Sequence, residues 1–330
     1  MKLEKQVSHS PKDLDLLLSQ FNLALYRGKF SVPKHGRIAT NLMVDTSDGQ
    51  IFIRSYPDTY PRERIEMEVS ALDHLAKHGV SVPILLRTKD GQLIVRGDDR
   101  STTFIYRPLE GQTLSQDDLS PYWAMQAGEL LALFIRAAEK FAKPKISVDG
   151  DIEYIGILLS SLEKAKPELA NENTLKAMKK VLADPLLNND LQETPSGLVH
   201  ADFFFENVLH QQGTLIGILD LGDSYYGKIL NDIVIGAMEF SVDTKGKWYR
   251  ENLEAFVTPL RPWLVKHKVT ADLCLKLLCA NCVRFAVYTM PYTVEEGGRF
   301  GDNQYVQRFA ELEEDSLKRI ILETFYTNID

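Results

Sequence analysis

One stretch constrains this chain more than any other: Gly197-Leu-Val-His200-Ala-Asp202-Phe-Phe-Phe-Glu-Asn207-Val-Leu209, followed by Thr214-Leu-Ile-Gly-Ile-Leu-Asp220-Leu-Gly-Asp223. Apolar runs bracket His200, Asp202 and Asn207, and a second apolar run delivers Asp220 at its end. This pattern predicts two short strands joined by turns, with the polar groups converging at one end. Such a set of oxygens suits phosphoryl transfer, which asks a protein mainly for positioning and charge neutralisation. Asp202 is the residue type that orients an attacking hydroxyl and accepts its proton. Mg²⁺ prefers carboxylate and amide oxygens, which Asn207 and Asp220 supply, and Asp223 is a further metal or substrate group.

The rest of the chain frames that centre. At 330 residues it exceeds what one hydrophobic core usually supports, so two lobes are the natural expectation, with one domain not excluded. Hydrophobic residues at 44% and charged residues at 25% describe a packed, soluble fold. The formal charge of -8 and the lack of a Lys/Arg block interleaved with aromatics argue against nucleic acid and lipid surfaces as partners. The longest apolar stretches fall short of the roughly 18 to 20 residues of a membrane span, and MKLEKQVSHS has no signal-peptide core, so a cytoplasmic location is expected. Cys274, Cys279 and Cys282 lie in one helical pattern and read as buried reduced thiols, because a structural zinc site needs a fourth ligand.

Periodicity divides the chain near residue 109. Residues 12–24 read as a leading helix through Leu14, Leu17, Leu18 and Phe21, and 40–45 with 50–56 read as a hairpin around Asp48-Gly49. A helix follows from Pro61 to His78, stopped by Gly79. Strands at 83–87 and 93–95 flank the Asp90-Gly91 turn, and another runs over 102–107. Beyond Gly111 helical patterns dominate at 122–141, 152–166, 173–182 and 248–325, interrupted by the β-rich segment 197–221. No solenoid repeat or low-complexity tract is present.

His-x-Asp-x4-Asn, then an apolar strand ending in Asp 18 residues beyond Asp202, resembles the catalytic segment of the aminoglycoside phosphotransferase and choline kinase superfamily. The resemblance covers residues 25 to 290, with its most specific part at 197–235. It implies an α+β, bilobal protein-kinase-like fold: a small antiparallel-sheet N-lobe over 1–109, a hinge at about 104–111, and a larger, mainly helical C-lobe over 110–330 carrying a catalytic loop at 197–223. It further implies ATP and Mg²⁺ as cofactors, with nucleotide between the lobes. Asp202 and His200 fall in the catalytic set, His200 as a brace of the loop rather than a proton carrier. Asn207 and Asp220 would hold the metal, and Asp232 of Asn231-Asp232-Ile-Val-Ile-Gly-Ala would support the catalytic loop. Glu68 would be the ion-pair acid of the N-lobe helix, partnered by Arg54 where protein kinases carry lysine, as choline and ethanolamine kinases also do. Phe104 and Tyr106 would belong to the adenine-facing linker. Main-chain amides near Ala39 to Asn41 would cover the phosphates, although Pro33 to Thr40 holds one glycine where protein kinases have three.

Gly79-Val-Ser-Val-Pro83, Leu86 to Gly91, His200-Ala-Asp202 and Asn281-Cys-Val-Arg284-Phe look most like bacterial homoserine kinases of this fold, and Ile218 to Asp223 is similar to hydroxylysine kinase. The implied reaction moves the γ-phosphate of ATP to a hydroxyl of a small molecule, an amino alcohol or hydroxy amino acid such as homoserine. Arg284 would bind a substrate carboxylate, touch the metal, or form a structural salt bridge. Three alternatives remain open at this level: a nucleotide-binding pseudokinase or scaffold, a Ser/Thr protein kinase, and a metal-dependent hydrolase of another fold. Only 12 residues separate Asp220 from Asp232, which leaves no room for a protein kinase's long activation segment. Acceptor identity and oligomeric state are not specified.

Overall fold

The computed structural model describes residues 10–23, 30–31, 38–46, 48–97, 99–145, 152–165, 172–243 and 246–326. The chain forms two compact units, Met1–Gly111 with Gly217–Ser224, and Gln112–Ile216 with Tyr225–Asp330. The segment 217–224, which the sequence assigns to the larger part, therefore packs with the first unit. Gly217 has no side chain, and this lets the backbone lie against Leu109 and Ser81, while the Ile218 N–H donates to the Ser81 carbonyl at 3.0 Å.

In the first unit, α1 (Pro11–Ser19) starts at a capping box in which Ser10 and Asp13 satisfy each other's backbone N–H groups. The expected helix to residue 24 stops early because Asn22 takes φ 54° and the Leu23 N–H turns back to the Leu18 carbonyl. The sheet comprises β1 (Phe30–Ser31), β2 (Thr40–Thr46), β3 (Gly49–Tyr56), β4 (Ile84–Leu85), β5 (Val95–Arg96) and β6 (Thr102–Arg107) in the order β1-β2-β3-β6-β4, with β5 also on β6. Every pairing is antiparallel. The two short strands expected at 83–87 and 93–95 shrink to two residues each, and both pair with β6 rather than with each other.

Alternation along β3 sorts its side chains by face. Leu42, Val44, Ile51, Ile53 and Ile105 pack with Leu14, Leu17, Leu18 and Phe21 of the leading segment in one core cluster. Phe52, Arg54 and Tyr56 alternate with those residues and so project from the other face. The helix α2 (Arg62–Lys77) buries Ile65, Val69, Leu72 and Leu75, and with them the acid Glu68. It ends at Gly79, whose φ of 77° suits glycine.

The second unit begins with β7 (Gln112–Thr113) and α3 (Pro121–Ala138), which Ser120 caps ahead of Pro121. Then come α4 (Ile152–Ala165), α5 (Glu172–Leu182), α6 (Leu191–Glu193), β8 (Ser196–Val199), β9 (Val208–Gln211) and β10 (Thr214–Ile218). The remainder is β11 (Tyr225–Lys228), α7 (Leu230–Glu239), α8 (Arg250–Val257), α9 (Arg261–Lys266), α10 (Ala271–Glu295), α11 (Gln304–Glu311) and α12 (Asp315–Phe325). β8 pairs antiparallel with β11, and β9 lies between β10 and β7. All ten residues of α7 are buried.

α10 packs against α4, α5, α7, α11 and α12. The sequence reading found no apolar run of membrane-spanning length, yet α10 meets that test by length and composition. Inside the fold, 72% of its apolar window is buried, as in the core helix of a globular unit. Its three cysteines are buried free thiols, and burial pushes Cys279 up to about 12 and Cys274 and Cys282 in the same direction. Thiolate is the reactive form. All three should resist a disulfide-exchange reagent at pH 8 in the native protein and react together once guanidinium unfolds it, as counted by absorbance.

α3 and α8 approach most closely at Gly128, where an added Cβ would run into the carbonyl oxygen of Phe256. Backbone cannot yield as a flexible side chain does. Gly128→Ala is therefore expected to destabilise the protein by about 1 to 3 kcal/mol, lowering the urea midpoint without changing the slope.

Candidate active site

Two groups of polar side chains stand out, one in each unit. In the first, Arg54 on β3 is a half-buried guanidinium whose Nη1 lies 3.1 Å from Glu68 Oε1 and 3.2 Å from Asp220 Oδ1. Tyr56 donates its hydroxyl to the other Glu68 oxygen at 2.7 Å, and the guanidinium carbon stands 5.5 Å from the centre of the Tyr56 ring. Burial works against the Arg54 charge, but Glu68, Tyr56 and Asp220 together hold its pKa above the ordinary value. Burial likewise raises the Glu68 carboxyl, with the Arg54 charge opposing and that of Asp220 adding to the rise.

Glu68 is 3% exposed and Asp220 51%, so one guanidinium links a buried acid to one open to solvent. Asp220 takes φ 51°, and its Oδ1 accepts the Gly222 N–H at 3.4 Å, the local turn by which aspartate tolerates left-handed backbone. Gly222 leaves room for Arg54 Nη2, which a Cβ would meet at 3.2 Å.

Phe104 and Tyr106 on β6 diverge. The Phe104 ring is fully buried and its backbone pairs with Arg54, so it packs rather than presents a surface. Tyr106 stays partly exposed, stacked on Phe52 with ring centres 5.4 Å apart, and burial moves its hydroxyl up to about 12. Asp223 is exposed, and its charge helps burial to push Tyr60 up to about 12. Of the expected phosphate-covering segment, residues 33–37 lie outside the described residues.

In the second unit, β8 runs into His200-Ala201-Asp202. Asp232, in the first turn of α7, accepts the His200 N–H on Oδ2 at 2.7 Å and the Ala201 N–H on Oδ1 at 2.8 Å. Ala201 has φ 72°, a conformation costing an L-residue about 1 to 2 kcal/mol. Two hydrogen bonds to a carboxylate, about 1.5 to 3 kcal/mol each, outweigh that strain. Burial raises the Asp232 carboxyl, while the charge of His200, the two amide hydrogen bonds and the charge of Arg284 oppose the rise.

Asp202 is clasped in turn: Asn207 Nδ2 donates to its carbonyl at 2.8 Å and to Oδ2 at 3.1 Å. That use of the amide nitrogen makes the Asn207 oxygen the atom with which a cation would interact. The Asp202 N–H points to His200 Nδ1 at 3.3 Å. His200, placed in the catalytic set from sequence as a brace of the loop, is fully buried with its ring edge-on to Phe134 and Phe203. Arg284 is also buried. It is 5% exposed, with its guanidinium 5.5 Å from the ring centre of Tyr225 and 5.7 Å from that of Tyr288. Phe203 is buried, whereas Phe204 and Phe205 keep some exposure.

Two neighbours escaped the sequence reading. Tyr56 falls two residues after Arg54 on the same strand face, a signal that alternation alone carries. The Glu239–Arg308 pair, buried at 2.7 Å with Arg308 4.9 Å from the Tyr305 ring centre, joins residues far apart in sequence. Burial raises the Tyr305 hydroxyl, with smaller contributions from Glu239 and Asp202.

The model of the Phosphotransferase enzyme family matches residues 29–264. The chain belongs to that family. Phosphotransferase relatives include the homoserine kinase of Pseudomonas aeruginosa strain LESB58, 24% identical over 275 residues, 82% of this chain and 83% of that protein. The homoserine kinase of Agrobacterium fabrum is 27% identical over 231 residues, 67% of this chain and 69% of its own. Among solved structures, an amicoumacin kinase in complex with AMP-PNP and Ca²⁺ is similar with a TM-score of 0.63 at 14% identity, covering 96% of this chain and 95% of that one. A GDP complex of an aminoglycoside 2'-phosphotransferase-IIIa mutant gives 0.61 at 16% identity, covering 94% and 96%. The fold is kinase-like, and this phosphotransferase is a small-molecule kinase.

Asp232→Asn would set an NH₂ group against a backbone N–H and remove half of the clasp. The variant is expected to lose about 2 to 3 kcal/mol of stability in a urea titration. Amide exchange at His200 and Ala201 should quicken more than exchange in α10.

Proposed function

We propose that this phosphotransferase moves the γ-phosphate of ATP to the hydroxyl of an amino alcohol or hydroxy amino acid, with homoserine the first candidate. The Asn207 clasp on Asp202 carries the reading. It aims a carboxylate that an amide nitrogen, a backbone brace and a buried acid all keep in one orientation. Such a carboxylate serves to orient a hydroxyl and take its proton as attack proceeds. The similarity to homoserine kinases over four fifths of the chain supports the choice of acceptor.

Arg54, fixed by Glu68 and Asp220, would face nucleotide phosphates with a charge that its acids sustain. Tyr106 offers a partly exposed ring, stacked on Phe52, as a bed for the base. The half-exposed Asp220 carboxylate in the first unit and the Asn207 amide oxygen in the second are each, taken alone, a hard donor of the kind Mg²⁺ accepts beside phosphate oxygens and waters. When bound, it would supply neutralisation of charge on the phosphates. The protein's share is to hold Asp202 toward the hydroxyl and Arg54 toward the phosphates.

A protein-kinase reading meets a specific obstacle. Between Asp220 and Asp232 the chain holds only the turn of Leu221 to Ser224, β11, paired along its whole length with β8, and the start of α7. No span remains for a peptide-docking activation segment.

The decisive measurement is ADP release with homoserine, hydroxylysine, ethanolamine, choline and an aminoglycoside as acceptors. Turnover is expected with a hydroxy amino acid or amino alcohol and should fall by about 10³-fold in Asp202→Asn. Release confined to the aminoglycoside would refute the acceptor class. Release unchanged in Asp202→Asn would refute the role of that carboxylate.

A further inference from the structure

The second unit contains a cavity of 770 Å³ that the chemistry above does not use. Its walls come from α4, α5, the segment before β8, and the antiparallel pair of β8 with β11, with Leu159, Leu182, Leu187 and Leu191 among the lining residues. Lys143, Lys179 and Lys228 line it, and among the described lining residues none is Asp or Glu. Glu163, paired with Lys179, offsets one of these charges, and the two that remain still run against a chain of net charge -8.

Two of the three ammonium groups are already positioned. Lys179 Nζ is held by Glu163 at 2.6 Å, and Lys228 Nζ donates to the carbonyls of Gln192 at 2.6 Å and Thr194 at 3.0 Å. Preorganised charges of this kind lose little freedom when a ligand arrives. The volume lies in the range of small-molecule pockets, far above what a single ion fills.

The cavity is distinct from the Asp202 loop. Ser196, on its wall, begins β8, which spans about 10 Å, and Asp202 lies three residues beyond the strand's opposite end. Asn231 also lines it, adjacent in sequence to Asp232 and tied to the Lys228 carbonyl at 3.1 Å.

We propose that this cavity is a second binding site, for a small metabolite bearing a phosphate or carboxylate group. Ammonium groups recognise either anion through charge-assisted hydrogen bonds, and the lining leucines accommodate a short carbon skeleton. The site is independent of which acceptor the kinase uses.

The test titrates the full chain, saturated with AMP-PNP and Mg²⁺ to fill the nucleotide part of the catalytic site and with excess homoserine to fill the acceptor part, with O-phosphoserine, succinate and, as an uncharged-acid control, serine methyl ester. At least one of the two anions should bind with a Kd below about 1 mM and the ester should not. Binding of O-phosphoserine alone assigns the phosphate class, and binding of succinate identifies carboxylate as sufficient. Lys143→Ala with Lys179→Ala should weaken binding at least tenfold while leaving KM for ATP unchanged. Hydrogen exchange should slow over Leu187 to Gln192 and Tyr226 to Asn231. Lys143→Ala alone, at an exposed position, repeats the measurement if the double variant does not fold, with at least a threefold loss expected. The proposal is overturned if neither anion binds, if the variants bind as the parent does, or if slowed exchange is confined to 200–210.

Discussion

A single buried carboxylate organises the turn out of β8. Asp232 accepts two consecutive amides, those of His200 and Ala201, and so determines where β8 ends and how the chain turns into Asp202. Its position in the first turn of a wholly buried helix matters, because the helix N-terminus favours negative charge where burial opposes it. The same helix supports the loop again near its other end, where Phe240 meets the Phe203 ring at 5.8 Å and Gly236 admits its edge. α7 thus acts as a rail beneath the loop, holding backbone at one end and an aromatic side chain at the other.

In the first unit the choice of a guanidinium has structural content. The planar group of Arg54 reaches Glu68 and Asp220 while lying beside the Tyr56 ring, contacts that a compact ammonium could not make together. Tyr56 satisfies the remaining oxygen of Glu68, so the buried acid is provided for on both sides. The Asp220 carboxylate, half exposed on a left-handed turn, is the member of this set most open to solvent.

Much of the first unit was legible in the sequence because its signals are local. The Asp48-Gly49 turn set the β2–β3 hairpin, and the periodicity of Ile65, Val69, Leu72 and Leu75 gave α2. What failed was non-local or brief. Two-residue strands such as β4 and β5 carry no alternation to read, and Tyr225-Tyr-Gly-Lys228 becomes a strand only because β8 offers it a ladder. For the polar residues, type and spacing singled out Asp202, Asn207, Asp220 and Asp232, but not exposure. His200, Phe104 and Arg284 are buried by elements distant in the chain, a covering that residue type and spacing do not reveal. The association of Gly217–Ser224 with the first unit depends on Leu109 and Ser81 and has no local signature.

α10 carries a consequence for the chain's history rather than for its chemistry. Outside its fold, a 25-residue apolar helix is a segment that bilayers and other exposed chains accept. The order of the elements limits this hazard: α4, α5 and α7, three of the helices that bury it, are all synthesised before it, and only α11 and α12 come after. When α10 leaves the ribosome, most of its final surroundings already exist, so the interval in which it is uncovered is short.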